Sequence, residues 1–319
     1  MSTYYPVCLI TYNRPEHARL TVEALKRNKL ASETDLFIFS DAPARAQDEQ
    51  AVMETRAYLE TVSGFKSVTI IKMDENLGPF KMAMMAGHYA CEHAEAFIWV
   101  EDDVQTHPNF LTYMNKALNF YRDNARVAAV SGYTHESSMA SALKQYPHDM
   151  VFSYAFHAFA WGTWKDRFLA IDWSMPGVKE YLSNMKQRRR GRVLSWGHLR
   201  AASVASRPES ELWDIRFSYY MMKNDLVCAW PRYTYANNFG FDGSGIHKYN
   251  FSEKWFVIPM DHAPEDPKFT NDIDLSPKLH FNIEVAISAR WVFAFLGNFN
   301  RFLQGKAKKV NISQRAAIF

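Results

Sequence analysis

The stretch Phe97-Ile-Trp-Val-Glu-Asp-Asp-Val104 sets three consecutive acidic residues, Glu101, Asp102 and Asp103, directly behind an apolar run. Acidic side chains ordinarily mark solvated surface, yet these close a segment that reads as a buried strand. Neighbouring residues within a strand point to opposite faces. Asp102 and Asp103 can therefore act together only where the strand ends and the backbone turns. A hard divalent cation takes oxygen ligands, and Mg2+ is commonly held by one or two carboxylates together with substrate phosphates. An ordinary acidic loop or a helix cap has the same composition, and on this motif alone both readings stand open.

Outward from this strand, the first third of the chain alternates short β-rich runs with helical periodicity. Residues 7–11, 36–40, 68–72, 96–100 and 127–131 read as strands. A helix opens at Arg14-Pro15, with proline in its first turn and Ala18, Val22 and Leu25 on one face. Further helices are predicted over 46–62, with Val52, Leu59 and Val62 inward, over 79–93, and over 109–124 behind Pro108. Such alternation implies parallel strands joined by right-handed crossovers, hence an α/β fold with an open, mostly parallel, Rossmann-like sheet. Ligands of open α/β sheets bind beyond the carboxyl ends of the strands. Thr11, Tyr12 and Arg14, then Asp41, then Asn76 and Gly78, then the acidic trio all fall at or just past such ends.

The 319 residues suffice for a large core, and a net charge of +3 gives no reason to expect a nucleic-acid partner. Three widely spaced cysteines, Cys8, Cys91 and Cys228, read as free thiols of a reducing compartment. With neither a signal-peptide pattern nor an apolar run of spanning length, the expectation is a cytoplasmic protein. After Gly132 the rhythm changes: an aromatic-rich segment, a basic run over 186–192, a helical pattern over 209–225, a strand stopped at Pro231 and a glycine-rich loop over 237–247. The pattern over 281–309 is an aromatic helix with a basic finish, which allows peripheral membrane contact as well as packing on the fold.

In order and spacing these pieces resemble the GT-A glycosyltransferases, the nucleotide-sugar-dependent fold with an Asp-x-Asp-type metal motif. "VCLITYNRPEHARLTVEAL" resembles the opening strand, loop and helix of inverting family-two-like enzymes. "FIFSDAPA" stands where an aspartate reads the uracil edge. "NLGPFKMAMMAG" resembles the Asn-x-Gly segment before a helix, and "FIWVEDDV" the metal motif. The Glu-Asp-Asp form, followed by "HPNFLTYM", is most similar to the N-acetylglucosaminyltransferase I-like branch. "AFAWGTWKDRF", "ELWDIRF" and "WPRYTYANNFGFDGSGIH" are similar to its acceptor, base and closing-loop segments. The chain departs from that branch in having Ile215, not a second aspartate, after Asp214.

The resemblance implies residues 1–140 as a nucleotide-sugar-binding half, 141–255 as an acceptor-binding and catalytic half, and 256–319 as a C-terminal helical extension. It implies Mn2+ or Mg2+ as cofactor, held by Asp103 and His247. Thr11, Tyr12, Arg14, Asp41, Asn76, Gly78, Lys81 and Asp102 would bind a donor, expected to be UDP-linked, and a glycan or lipid-linked glycan would accept the sugar. Asp214, flanked by Trp213 and Phe217, is the expected general base, since a partly apolar setting raises a carboxylate pKa. Each residue also has a plainer reading. Thr11 and Arg14 suit a helix start, Asp41, Asn76 and Gly78 suit turns, and Asp214 suits a helix N-terminus. Two other classes stay in view. One is a nucleotide-sugar-binding protein without turnover. The other is a sugar-phosphate nucleotidyltransferase, disfavoured because "ITYNRPEH" holds no glycine for a phosphate loop.

Overall fold

The computed structural model describes residues 4–134, 143, 146–154, 156–184, 196–240, 242–244 and 260–275. His247, the basic run 186–192 and the pattern over 281–309 lie outside these residues, as do the expectations attached to them.

Strands β1 (Val7–Thr11), β2 (Asp35–Ser40), β3 (Ser67–Lys72) and β4 (Ala96–Glu101) form where the apolar runs predict them. The helices between them are α1 (Pro15–Lys26), α2 (Glu49–Leu59) and α3 (Gly78–His93). Then come β5 (Val104–Thr106), α4 (Phe110–Phe120) and β6 (Val127–Ser131). The second half supplies β7 (Met150–Ser153), β8 (Ala160–Trp164), α5 (Lys165–Leu169), α6 (Val178–Ser183) and α7 (Trp196–Ala205). It ends in α8 (Trp213–Lys223), β9 (Val227–Pro231) and β10 (Ala236–Asn238).

Eight strands share one sheet in the order β3-β2-β1-β4-β8-β6-β9-β7, so both halves of the chain contribute to it. β1 pairs in parallel with β2 on one side and β4 on the other, with Thr11 beside Ser40 and Ile10 beside Glu101. The order 3-2-1-4 puts the topological switch point between β1 and β4, where the loops leaving the two strands diverge and open a crevice.

The period-2 alternation divides the core. Val7, Leu9, Ile38, Ile98 and Val100 face one cluster with Val22, Leu25 and Phe110 of α1 and α4. Cys8, Phe39, Phe97 and Trp99 face the other, with Met82 and Ala86 of α3 and Trp213 and Phe217 of α8. That parity puts Glu101 on the α3/α8 face.

The sheet is mostly parallel, as expected, with β8 antiparallel to β4 and β6 and β7 antiparallel to β9. Three expectations change. The helix read over 46–62 is a 3-10 turn, Ala46–Asp48, followed by α2, and Val62 packs on the core from beyond its end. The helix read over 109–124 stops at Phe120, where Arg167 takes the carbonyls of Tyr121, Arg122 and Asn124. The loop read over 237–247 begins as strand: Asn237 and Asn238 pair antiparallel with Gln105 and Val104. Asparagine is a weak strand former, and here the partner strand decides. Among the described residues no helix is long and apolar enough to cross a membrane.

Candidate active site

β4 ends at Glu101, and Asp102 and Asp103 form the turn into β5. Thr21 of α1 fixes that turn, its hydroxyl donating to the Asp102 carbonyl at 2.8 Å and accepting from the Val104 N–H at 3.1 Å. Both carboxylates then reach one cation. Arg14, in the loop between β1 and α1, donates through one guanidinium nitrogen to Asp102 and lies through the other 3.0 Å from Asp103. The switch-point crevice thus holds one charge cluster contributed by both of its strands. Burial is the largest influence on Asp102 and raises its pKa, with Arg14 opposing. Glu101 is pushed well above the ordinary carboxylate range by burial first, then by the charges of Asp103, Asp102 and Asp214.

Asp103 is held from its other side by the second half of the chain. The Asn238 amide donates to its Oδ1 at 2.8 Å, and the Phe239 N–H donates to its carbonyl at 2.9 Å. Gly240 completes the cradle. A Cβ there would fall 2.0 Å from Asp103 Oδ2, so only glycine leaves this carboxylate its place.

At the end of β2, Asp41 stands quite differently. One oxygen accepts from the N–H groups of Ala42 and Leu77, both at 2.9 Å. The other accepts from Gly78 N–H at 3.0 Å and the Asn76 amide at 3.1 Å. Asp41, Asn76 and Gly78 therefore meet as expected, but as a clamp that shapes the entry to α3. Gly78 has φ +72, a left-handed conformation that side chains disfavour.

The Glu211 carboxylate accepts from the Phe80 N–H at 2.8 Å, in the first turn of α3 where donors lack helical partners. This contact ties the segment just before α8 to the clamp, and Asp214 follows three residues later in the first turn of α8, half-buried. Its charge is among those acting on Glu101, which brings Asp214 into the neighbourhood of the β4 carboxylates.

The remaining expected residues are dispersed. Thr11 is buried and its hydroxyl donates to the Phe39 carbonyl, a role inside the sheet. Tyr12 sits on the rim with its hydroxyl bonded to Asp48 and to the Ala44 N–H. Lys81 lies on an open groove along α3 with Leu77, Met84, Met85 and His88, and no described contact joins it to the carboxylates. Sequence reasoning gave no individual role to Thr21, Asn238, Gly240 or His17. Only the glycine spacing of 240–245 carried a signal for any of them.

Among the described residues no group of three His, Cys, Asp or Glu side chains could hold a metal by itself. The donor set still fits a hard cation of the kind completed by substrate phosphates. It offers adjacent carboxylates at a turn, with a glycine cradle shaped around Asp103.

No protein-family model matches the chain, and no curated protein sequence matches it. Among solved structures it is similar to the mannosyltransferase PcManGT from Pyrobaculum calidifontis, solved with GDP-Man and Mn2+. The identity is 15% over 69% of this chain and 71% of that one, with TM-score 0.40. It is also similar to S. aureus TarS 1-349, with 12% identity, 73% and 60% coverage and TM-score 0.41. Mouse xyloside xylosyltransferase 1 gives 11% identity, 70% and 84% coverage and TM-score 0.37.

Proposed function

We propose that this chain is a GT-A-type, cation-dependent, inverting glycosyltransferase. In this reading it moves a sugar from a nucleotide-sugar donor, UDP-linked, to a hydroxyl of a glycan or lipid-linked glycan. The observation that carries the reading is the meeting of Arg14, Asp102 and Asp103 at the β1/β4 switch point, with Asp214 electrostatically close to Glu101. A nucleoside diphosphate needs a cationic environment beside an open crevice, and sugar transfer needs a carboxylate within reach of the acceptor.

The residues divide the work as follows. Tyr12, held by Asp48, forms the wall for the base, while Asp41 and Asn76 hold the base-side turn. Asp102 faces the ribose hydroxyls. Asp103, kept in place by Asn238 and Gly240, holds the cation, for which Mn2+ or Mg2+ is the class. When bound, that ion supplies positive charge to the departing diphosphate. Arg14, beside both carboxylates, would supply positive charge to the donor phosphates. Asp214 takes the acceptor proton as the hydroxyl attacks the anomeric carbon, and residues 141–255 hold the acceptor beside it.

The test is a panel of UDP- and GDP-sugars against the purified protein, with and without Mn2+, followed by thermal melting and by nucleotide release. Metal-dependent stabilisation by one donor, abolished by EDTA, is the expected result. Equal stabilisation in excess EDTA overturns the cation role, and no response to any donor overturns the class.

A further inference from the structure

His17 lies in the first turn of α1, three residues beyond Arg14, which stands just before the helix. It is almost fully buried, at 2% exposure, and its ring stacks on Phe239 with centroids 5.2 Å apart and planes 12° apart. Its Nε2 is 3.2 Å from the Asp242 carboxylate. Asp242 is itself fixed by Ser244, whose N–H and hydroxyl donate to it at 2.9 and 2.6 Å. Burying a ring nitrogen and a carboxylate costs free energy unless they satisfy each other. Stacked on Phe239 and with its Nε2 beside Asp242, His17 holds both of these residues against α1.

The segment 239–242 contains Gly240, whose Cα carries no side chain because Asp103 Oδ2 fills the space, and it follows directly on Asn238, which bonds Asp103 Oδ1. Arg14 grips Asp103 from the α1 side, and the loop closes on it from the other. We infer that His17 is a positioning residue: through Asp242 and Phe239 it pins the loop that sets the orientation of Asp103. This rests on reading Asp103 as the cation-side carboxylate. The pin itself is a property of the chain alone and is testable without any nucleotide.

Three variants divide the contact. His17→Phe keeps the stacking and removes the nitrogen, His17→Asn restores a donor, and Asp242→Asn alters the loop side without touching α1. In nucleotide-free protein, hydrogen exchange over 236–244 is expected to quicken about tenfold in His17→Phe and in Asp242→Asn, and to recover in part in His17→Asn. By calorimetry, Mn2+-dependent UDP affinity is expected to fall about tenfold in His17→Phe, while UDP affinity without Mn2+ stays at the wild-type value. Unchanged exchange in both His17→Phe and Asp242→Asn overturns the pin. An equal loss of UDP affinity with and without Mn2+ overturns its route through Asp103. Wild-type protein that binds neither UDP nor GDP would instead sink the proposed function, and the exchange measurement would still decide the pin.

Discussion

Two carboxylate sites stand at the ends of nearby strands and are built oppositely. At the end of β2, Asp41 accepts from four N–H donors, those of Ala42, Asn76, Leu77 and Gly78. At the end of β4, Asp102 and Asp103 converge on a single guanidinium, with an amide and a glycine shaping the remaining space. A carboxylate whose lone pairs all meet backbone or amide donors holds a fold. Adjacent carboxylates sharing one guanidinium keep their charge concentrated at the crevice. The same residue type at the end of a strand thus closes a turn in one place and, in the proposed reading, faces a ligand in the other.

Breaking the β4 site should have the largest effect. Gly240→Ala forces an atom to 2.0 Å from Asp103 Oδ2. Mn2+-dependent donor affinity should fall at least a hundredfold, about 2.7 kcal/mol, with far-UV circular dichroism unchanged. Next is Asp214→Asn, which should lower kcat by about a hundredfold, in the range for a lost general base. Donor affinity should stay within about twofold; a matching loss of affinity would reassign Asp214 to binding.

The β2 site sharpens the contrast from the other side. Asp41→Ala leaves up to four donors without their acceptor and should destabilise the fold by about 2–3 kcal/mol. Denaturant unfolding checks this, and the loss should be present without any nucleotide. A variant as stable as wild type would show that the clamp is dispensable.

The smallest effect belongs to the loop pin and is read through pH. Burial works to raise the Asp242 pKa, but the hydrogen bonds from His17 and Ser244 outweigh it and hold the carboxyl well below the usual range. A carboxyl depressed on folding binds protons more weakly in the folded state. Its stabilisation is therefore complete above the unfolded pKa, about 4, and is lost as pH falls through the folded value. Wild type should exceed Asp242→Asn in melting temperature at pH 6–7, and the gap should narrow below about pH 4. A gap constant from pH 7 to pH 3 would remove the charge from the explanation.

Much of the first half was legible because its signals are local. Pro15 opens α1, the apolar runs of β1 to β4 alternate faces, and each polar cluster follows its strand directly. The second half was less so. β7 and β8 run against the parallel order, and β10, which ends in two asparagines, pairs with β5 across more than a hundred residues of chain. Lys81, which the resemblance implies as donor-binding, lines a groove on α3.

By itself, then, the sequence determined that Asp102 and Asp103 reach the end of a buried strand, because hydrophobic period and strand length are properties of neighbouring residues. It also determined that Thr11, Tyr12, Arg14 and Asp41 fall near the same rim, through the parallel order those periods imply. The tertiary structure decided which carboxylate is closed by N–H donors and which shares a guanidinium at the switch point. Asp41 and Asp103 are chemically identical in the chain. They differ in their partners: N–H groups of Ala42 and of residues 76–78 for Asp41, and for Asp103 an arginine from α1's threshold and an amide from β10. Most of these partners are distant in sequence and leave no local periodicity to read.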